Sequence, residues 1–289
     1  MVDGQRFGAS RDDWVVRVPA SSANLGSAFD AVALALDVHL EVTVADDEHA
    51  PETHPAVRAF RHGGGVGPIA VRAGFPGGRG LGFSGAARVG GLVAAYAQQR
   101  KSLRDARPAI LRTAGGLEGH FDNVAASLYG GVVAVAGGRA VRIPLSYDLG
   151  VVVWTPERET ATSSARRQLP DQISFADAAF NIGRTALLVA ALAAGDTGAL
   201  RIATEDRLHQ DRRLARAHDT RHAIDAALAA GAFAAWLSGS GPSAAALVDP
   251  ARADEIAAAL PAGGRTRVLG IADIGATVTT RDDAYDFAL

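Results

Sequence analysis

Apolar and polar residues alternate over Val38, Leu40, Val42 and Val44, interleaved with His39, Glu41 and Thr43, a period of two that predicts a half-buried strand over 38–44. Residues 14–18, Trp-Val-Val-Arg-Val, predict an earlier strand that Pro19 ends. The chain thus opens in hairpin-like β structure. The pattern then changes: residues 62–82 contain Gly63 to Gly65, Gly77, Gly78, Gly80 and Gly82 and run into the apolar stretch Ala86 to Ala97, which predicts a loop feeding a helix. Asn123 to Leu128 predicts a helical turn, Gly130 and Gly131 a break, and Val132 to Ala136 a strand. Leu149 to Trp154 reads as a buried strand, followed by Ala- and Leu-rich helices over about 174–194 and 197–216. Late strands are expected over Ala234 to Ser238 and Ala244 to Val248, joined through Gly239-Ser240-Gly241-Pro242. Strands followed by helical runs in each half predict an α+β fold of two lobes, 1–145 and 146–289, rather than a doubly wound parallel sheet.

Composition removes several function classes. The 289 residues include no cysteine, which excludes a disulfide framework, a thiolate metal site and a cysteine nucleophile. A net charge of −2 with interspersed signs supplies no field for nucleic acid or an anionic membrane, so a small ligand is the expected partner. The N-terminal residues lack the charged start and apolar run of a signal peptide, and no later stretch reads as long enough to cross a bilayer. A soluble, cytoplasmic protein is expected, with a homodimer left open. Lys101 is the sole lysine, so a P-loop, which needs lysine after its last glycine, is excluded.

Candidate chemistry lies in five segments. Pro76-Gly77-Gly78-Arg79-Gly80-Leu81-Gly82-Phe83-Ser84-Gly85-Ala86 precedes a helix; its glycines let backbone N–H groups approach an anion, and the helix dipole favours phosphate. Glu118-Gly-His120-Phe-Asp122-Asn123 crowds polar groups at a helix entry. An N-cap explains Asp122 or Asn123, whereas a carboxylate near a phosphate loop suits Mg²⁺. Pro19 to Asp30 places Asn24 and Asp30 around a Leu-Gly turn. Arg166, in Thr162 to Arg166, and Arg213, in Asp206 to Arg213, carry guanidinium forks that suit a carboxylate. Ser238-Gly-Ser240-Gly superficially matches a hydrolase elbow, but Ser238 stands where that motif needs glycine.

In this order the segments resemble the three motifs of the GHMP kinases, and their details are most similar to the homoserine kinases of that superfamily. Pro19 to Asp30 resembles Pro-Ala-Thr/Ser-Ser-Ala-Asn-Leu-Gly-Pro-Gly-Phe-Asp, Pro76 to Ala86 resembles Pro-x-x-x-Gly-Leu-Gly-Ser-Ser-Ala-Ala, and Glu118 to Ala125 resembles Glu-Gly-His-Pro-Asp-Asn-Val-Ala. The resemblance implies two α+β lobes, the first like domain 2 of ribosomal protein S5 and the second ferredoxin-like, with the active site in the cleft between them. It implies that residues 76–86 wrap the phosphates of ATP, that Ser84 and Glu118 hold Mg²⁺, and that Asn24, Asp30, His120, Arg166 and Arg213 bind the amino-acid substrate. Catalysis is then expected from Asn24, His120, Asn123 and Arg166 by positioning, because an amide at 123 cannot accept a proton. The pattern departs at Phe83 and Gly85, which replace a serine and an alanine, and at Ser27-Ala28, which replace Pro-Gly. Phe83 removes a hydroxyl and adds a ring beside the nucleotide, an expected loss of ATP affinity. Two other readings stand beside this one: a GHMP kinase for a different small alcohol, and a catalytically weak relative that binds nucleotide or amino acid.

Overall fold

The computed structural model describes residues 14–45, 48–157 and 169–280. β1 (Trp14–Ala23) and β2 (Val32–Val44) pair antiparallel at the centre of a six-stranded sheet. β1 does not stop at Pro19: the register shifts there, with Pro19 opposite His39 and Ala20 opposite Leu36. Asp37 and Val38 are thereby left over as a bulge, and a proline without an N–H is tolerated where the ladder is interrupted. The glycine-dense segment also differs from expectation, since β3 (Ile69–Ala73) lies inside it and pairs with β2. β4 (Val132–Ala136) follows β2 in the sheet, then β5 (Arg139–Ile143), and β10 (Thr277–Thr280) returns from the far end of the chain to pair with β1.

Of helices α1 (Pro55–His62), α2 (Phe83–Gln98), α3 (Leu103–Glu118) and α4 (Asp122–Tyr129), α2 and α4 pack on this sheet and α1 and α3 pack chiefly against α2. α2 is apolar almost all round, with Ala86, Ala87, Val89, Leu92 and Val93 buried, as befits a helix enclosed by β1, α1, α3 and α4. Burying the body of α2 this deeply fixes the end of the glycine segment in the molecule, while Phe83 and Ser84 at its start stay half-buried.

The second sheet has the order β7 (Ala234–Leu237), β8 (Ala244–Val248), β6 (Gly150–Pro156), β9 (Gly264–Gly270), all antiparallel. Along β6, Val151 and Val153 enter one hydrophobic cluster while Val152 and Trp154 enter another, which is why the strand reads as an unbroken apolar run. α5 (Phe175–Ala194) and α6 (Thr197–Ala203) contribute Leu188, Leu192 and Leu200 to the first cluster; α8 (His218–Ala229) and α9 (Ala253–Ala258) supply Ala223, Ile224 and Ile256 to the second.

The helix expected over 197–216 is two helices, α6 and α7 (Gln210–Leu214). Asp206 makes the break, because its carboxylate accepts from the backbone N–H of Leu208, His209 and Gln210 and so caps the second helix. α5 departs from expectation in another way: its 20 residues are long and apolar enough to cross a bilayer by length and composition. Its Asn181 and Thr185 hydrogen-bond Ser27 O, and Leu188, Ala191 and Leu192 are buried in the protein.

Candidate active site

α2 begins at an unusual cap. Gly82 has φ +66 and α2 has no side-chain cap and no acidic residue in its first turn, so its first N–H groups and the positive end of its dipole are left for an anion. Gly82 has no room for a side chain, since a Cβ would lie 1.9 Å from Ser21 Oγ. Gly80, at φ +76, is crowded likewise by the carbonyl of Ser238 at 2.3 Å.

These close approaches bring the separate motifs together. Ser21 Oγ donates to Asn123 Oδ1 at 2.9 Å, Ser238 Oγ donates to Gly80 O at 2.6 Å, and Asn24 Nδ2 donates to Gly239 O at 2.9 Å. Ser238 is fully buried and also lies 2.7 Å from Ser22 Oγ; it is a girder between loops. The cavity between them is lined by Asn24, Phe29, Asp30, Gly78, Gly80, Gly82, Phe83, Ser84, Glu118, His120, Asp122, Asn123, Arg213, Gly239 and Ser240. Its mixed polar and apolar lining suits a small ligand.

Eleven of the residues expected from sequence face this cavity, and the others have distinct places. Pro76 and Arg79 line a neighbouring groove with Arg265 and Arg267, and Arg79 donates to Pro156 O, tying the loop to β6. Gly77 lies against Phe83, and Leu81 is buried with its carbonyl accepting from Ser21 N–H. Gly85 and Ala86 are buried in the first turns of α2. Arg166 lies outside the described residues.

Opposite the N-terminus of α2 stands the C-terminus of α3, which carries Glu118. Ser84 Oγ donates to Glu118 Oε2 at 2.9 Å. A carboxylate at the negative end of a helix, with a hydroxyl beside it, suits a cation, and the guanidinium of Arg88 already sits on both oxygens. Among the described residues no cluster of three or more His, Cys, Asp or Glu side chains could hold a metal alone. The donor set therefore fits Mg²⁺, which takes one or two protein oxygens and completes its shell with phosphate and water.

His120 joins the two acidic groups. Its Nδ1 is 2.7 Å from Asp122 Oδ1 and its Nε2 is 3.6 Å from Glu118 Oε1. Burial alone would lower its pKa, but the hydrogen bond to Asp122 and the charges of Asp122, Glu118 and Asp30 outweigh burial and raise it. A raised histidine stabilises the fold below its unfolded value near 6.5, and that contribution disappears as pH rises through the folded value. The stability difference between wild type and His120→Gln is thus expected to be largest at acidic pH and to shrink towards pH 8, read from denaturation midpoints across that range. A difference that grows with pH would contradict the assignment.

Arg213 is held by a chain of buried groups. His209 Nε2 donates to Gly26 O at 2.8 Å, which leaves Nδ1 to accept from Arg213 Nη1 at 3.2 Å. Burial lowers the His209 pKa, consistent with this neutral tautomer. Arg213 also donates to Gly239 O and lies over the Phe29 ring, 5.3 Å from its centroid. Phe83, the departure from the family pattern, packs edge-on against His54 and Phe75, with centroids 5.8 and 6.0 Å away.

Phe29, Asp122, Gly239 and Ser240, which line the cavity, and Arg88, which bridges Ser84 and Glu118, are residues to which sequence reasoning gave no role in the site. Arg88 follows Ser84 by one helical turn, a spacing that puts both on one face, but its partner Glu118 lies 30 residues away.

The chain is similar to known proteins in sequence and fold. The family model for the GHMP kinases N terminal domain matches residues 52–131, and that for GHMP kinases C terminal matches 188–266. A homoserine kinase of Thermus thermophilus is 40% identical over 280 residues, spanning 89% of this chain and 95% of that one; one of Streptomyces coelicolor is 38% identical, spanning 94% and 96%. The crystal structure of homoserine kinase from Cytophaga hutchinsonii superposes with a TM-score of 0.81 at 26% identity, over 96% of this chain and all of that one. Mevalonate kinase of Methanococcus jannaschii, at 12% identity and TM-score 0.64 over 91% and 99%, shares the fold. The chain belongs to the homoserine kinase family of the GHMP kinases.

Proposed function

We propose that the protein transfers the γ-phosphoryl group of ATP to the side-chain hydroxyl of L-homoserine, giving O-phospho-L-homoserine, a step on the way to threonine. The observation that carries this is the single cavity in which an uncapped helix N-terminus, the Ser84–Glu118 pair and the Asp30–His120–Arg213 group face one another. The first suits phosphates, the second Mg²⁺, and the third an amino acid with charges of both signs.

The glycine loop, residues 76–86, holds the phosphates through backbone N–H groups, while Ser84 and Glu118 hold the metal. Mg²⁺, when bound, neutralises charge on the phosphate oxygens. Asp30 faces the substrate ammonium and Arg213 its carboxylate, with Arg166 assigned to that carboxylate by resemblance alone. Asn24, His120 and Asn123 orient the acceptor hydroxyl. Asn123 accepts from Ser21 and offers no proton acceptor of carboxylate strength, so positioning and charge stabilisation do the work, as a loose transition state allows. The lobes divide near residue 145, with one family model on either side and β10 returned to the first sheet.

Asp30→Asn is expected to raise KM for homoserine by about 10- to 100-fold, the loss of one charge-assisted hydrogen bond, with KM for ATP little changed. Equal effects on both constants would overturn the role of Asp30. The function itself is tested by ADP release with Mg²⁺ and ATP against homoserine, threonine, serine, shikimate, pantoate and mevalonate. The strongest turnover on homoserine supports the reading; a preference for another alcohol, or none with ATP bound, overturns it.

A further inference from the structure

One contact in the site has no role in the transfer so far described. Arg88 Nη1 contacts Ser84 Oγ and Glu118 Oε2, and reaches Ser84 O at 3.3 Å. One nitrogen therefore touches both of the side-chain oxygens assigned to the metal. Mg²⁺ sits about 2.0–2.1 Å from its oxygen ligands, so a metal shared by this pair needs the space that the guanidinium fills. Glu118 is costly to hold as a carboxylate: its side chain is 9% exposed, and His120, whose Nε2 lies 3.6 Å from Oε1, is shared with Asp122 on the other side of its ring. A cation on Oε2 offsets the cost of holding it there.

We propose that Arg88 is a resident counter-ion: it holds Ser84 and Glu118 in the free enzyme and yields them to the metal that arrives with the nucleotide. The idea rests on the metal assignment of the preceding section. Arg88 keeps 22% of its side chain exposed, so its long stem has a way out towards the solvent while its Cα stays fixed in α2. Once displaced, the guanidinium stands one helical turn from the phosphate end of α2, where an anion gives it a new partner. Free metal must then compete with a tethered cation, whereas metal carried by a nucleotide brings the charge that receives the displaced one. Metal and nucleotide binding are coupled as a result.

The test uses Mn²⁺ alone as the probe, titrated without nucleotide into the full chain and followed by water-proton relaxation. Wild type is expected to bind weakly, and Arg88→Met, which keeps the apolar stem, at least about tenfold more tightly, within the usual range of coupling between sites. Adding Glu118→Gln to that variant abolishes the gain. Arg88→Gln gives the same reading should Arg88→Met fail to fold. Unchanged Mn²⁺ affinity in a folded Arg88 variant, or a gain that survives Glu118→Gln, overturns the proposal. Homoserine-dependent turnover of the wild type, measured separately, distinguishes the two failures: turnover with no Mn²⁺ gain removes only the role of Arg88, and absent turnover removes the kinase reading.

Discussion

Glu118→Gln lowers kcat by about 10²- to 10³-fold, the size of effect expected when one preorganised charge interaction with the transition state is lost. The substitution keeps the shape of the side chain and can still accept from Ser84, so the lattice of hydrogen bonds around it need not collapse. The negative charge is lost. Because the proposed roles put Glu118 with the phosphates and Asp30 with the amino acid, KM for homoserine is expected to change much less than kcat. Steady-state kinetics with Mg²⁺ varied at fixed ATP check this, with circular dichroism confirming the fold. A variant that keeps more than half of wild-type kcat would remove Glu118 from the metal site.

Gly82→Ala is expected to destabilise the protein by about 2–5 kcal/mol and to abolish measurable ATP binding. Two costs add. An alanine at φ +66 pays about 1–2 kcal/mol for the left-handed conformation, and its Cβ would stand 1.9 Å from Ser21 Oγ and 2.9 Å from Asn123 Oδ1. The buried hydrogen bond between those atoms cannot survive, at about 1–3 kcal/mol. Gly116→Ala is the matched control, since Gly116 lies within α3 and a Cβ there meets nothing within 4 Å. It is expected to stabilise by up to about 1 kcal/mol. Urea denaturation and ATP titration read both variants, and a Gly82→Ala protein as stable as the control would contradict the packing described for the loop.

The parts of the fold legible in the sequence are those whose signal is local. Val132 to Ala136 and Ala244 to Val248 are short apolar runs bounded by turns, and both are strands at the expected residues. Motif order likewise groups Asn24, Ser84, Glu118 and His120 in one site, and all four line one cavity. What was missed depends on partners far away in sequence. β3 reads as loop because glycines surround it and only pairing with β2 makes it a strand. β10 has four residues and exists through β1, more than 250 positions earlier. α3 did carry a signal, since Leu103, Ala106, Ile110, Leu111 and Ala114 are buried at helical spacing, but Pro108 and the following glycines obscured it. The end of β1 is hidden for the opposite reason: Pro19 reads as a stop, and the bulge in β2 that accommodates it is invisible in β1 itself. Arg88 carries no sequence signal beyond that of one charge on a helix, the ordinary fate of an arginine, and only the return of α3 brings Glu118 to it.

Whether the phosphoryl group ends on the homoserine side chain is tested most directly by ³¹P NMR of the complete reaction. With Mg²⁺, ATP and L-homoserine, the account predicts a phosphomonoester resonance whose phosphorus couples to the side-chain methylene protons of homoserine, growing in step with ADP. Growth of inorganic phosphate alone, or no loss of the γ-phosphate resonance while ATP remains bound, would contradict it.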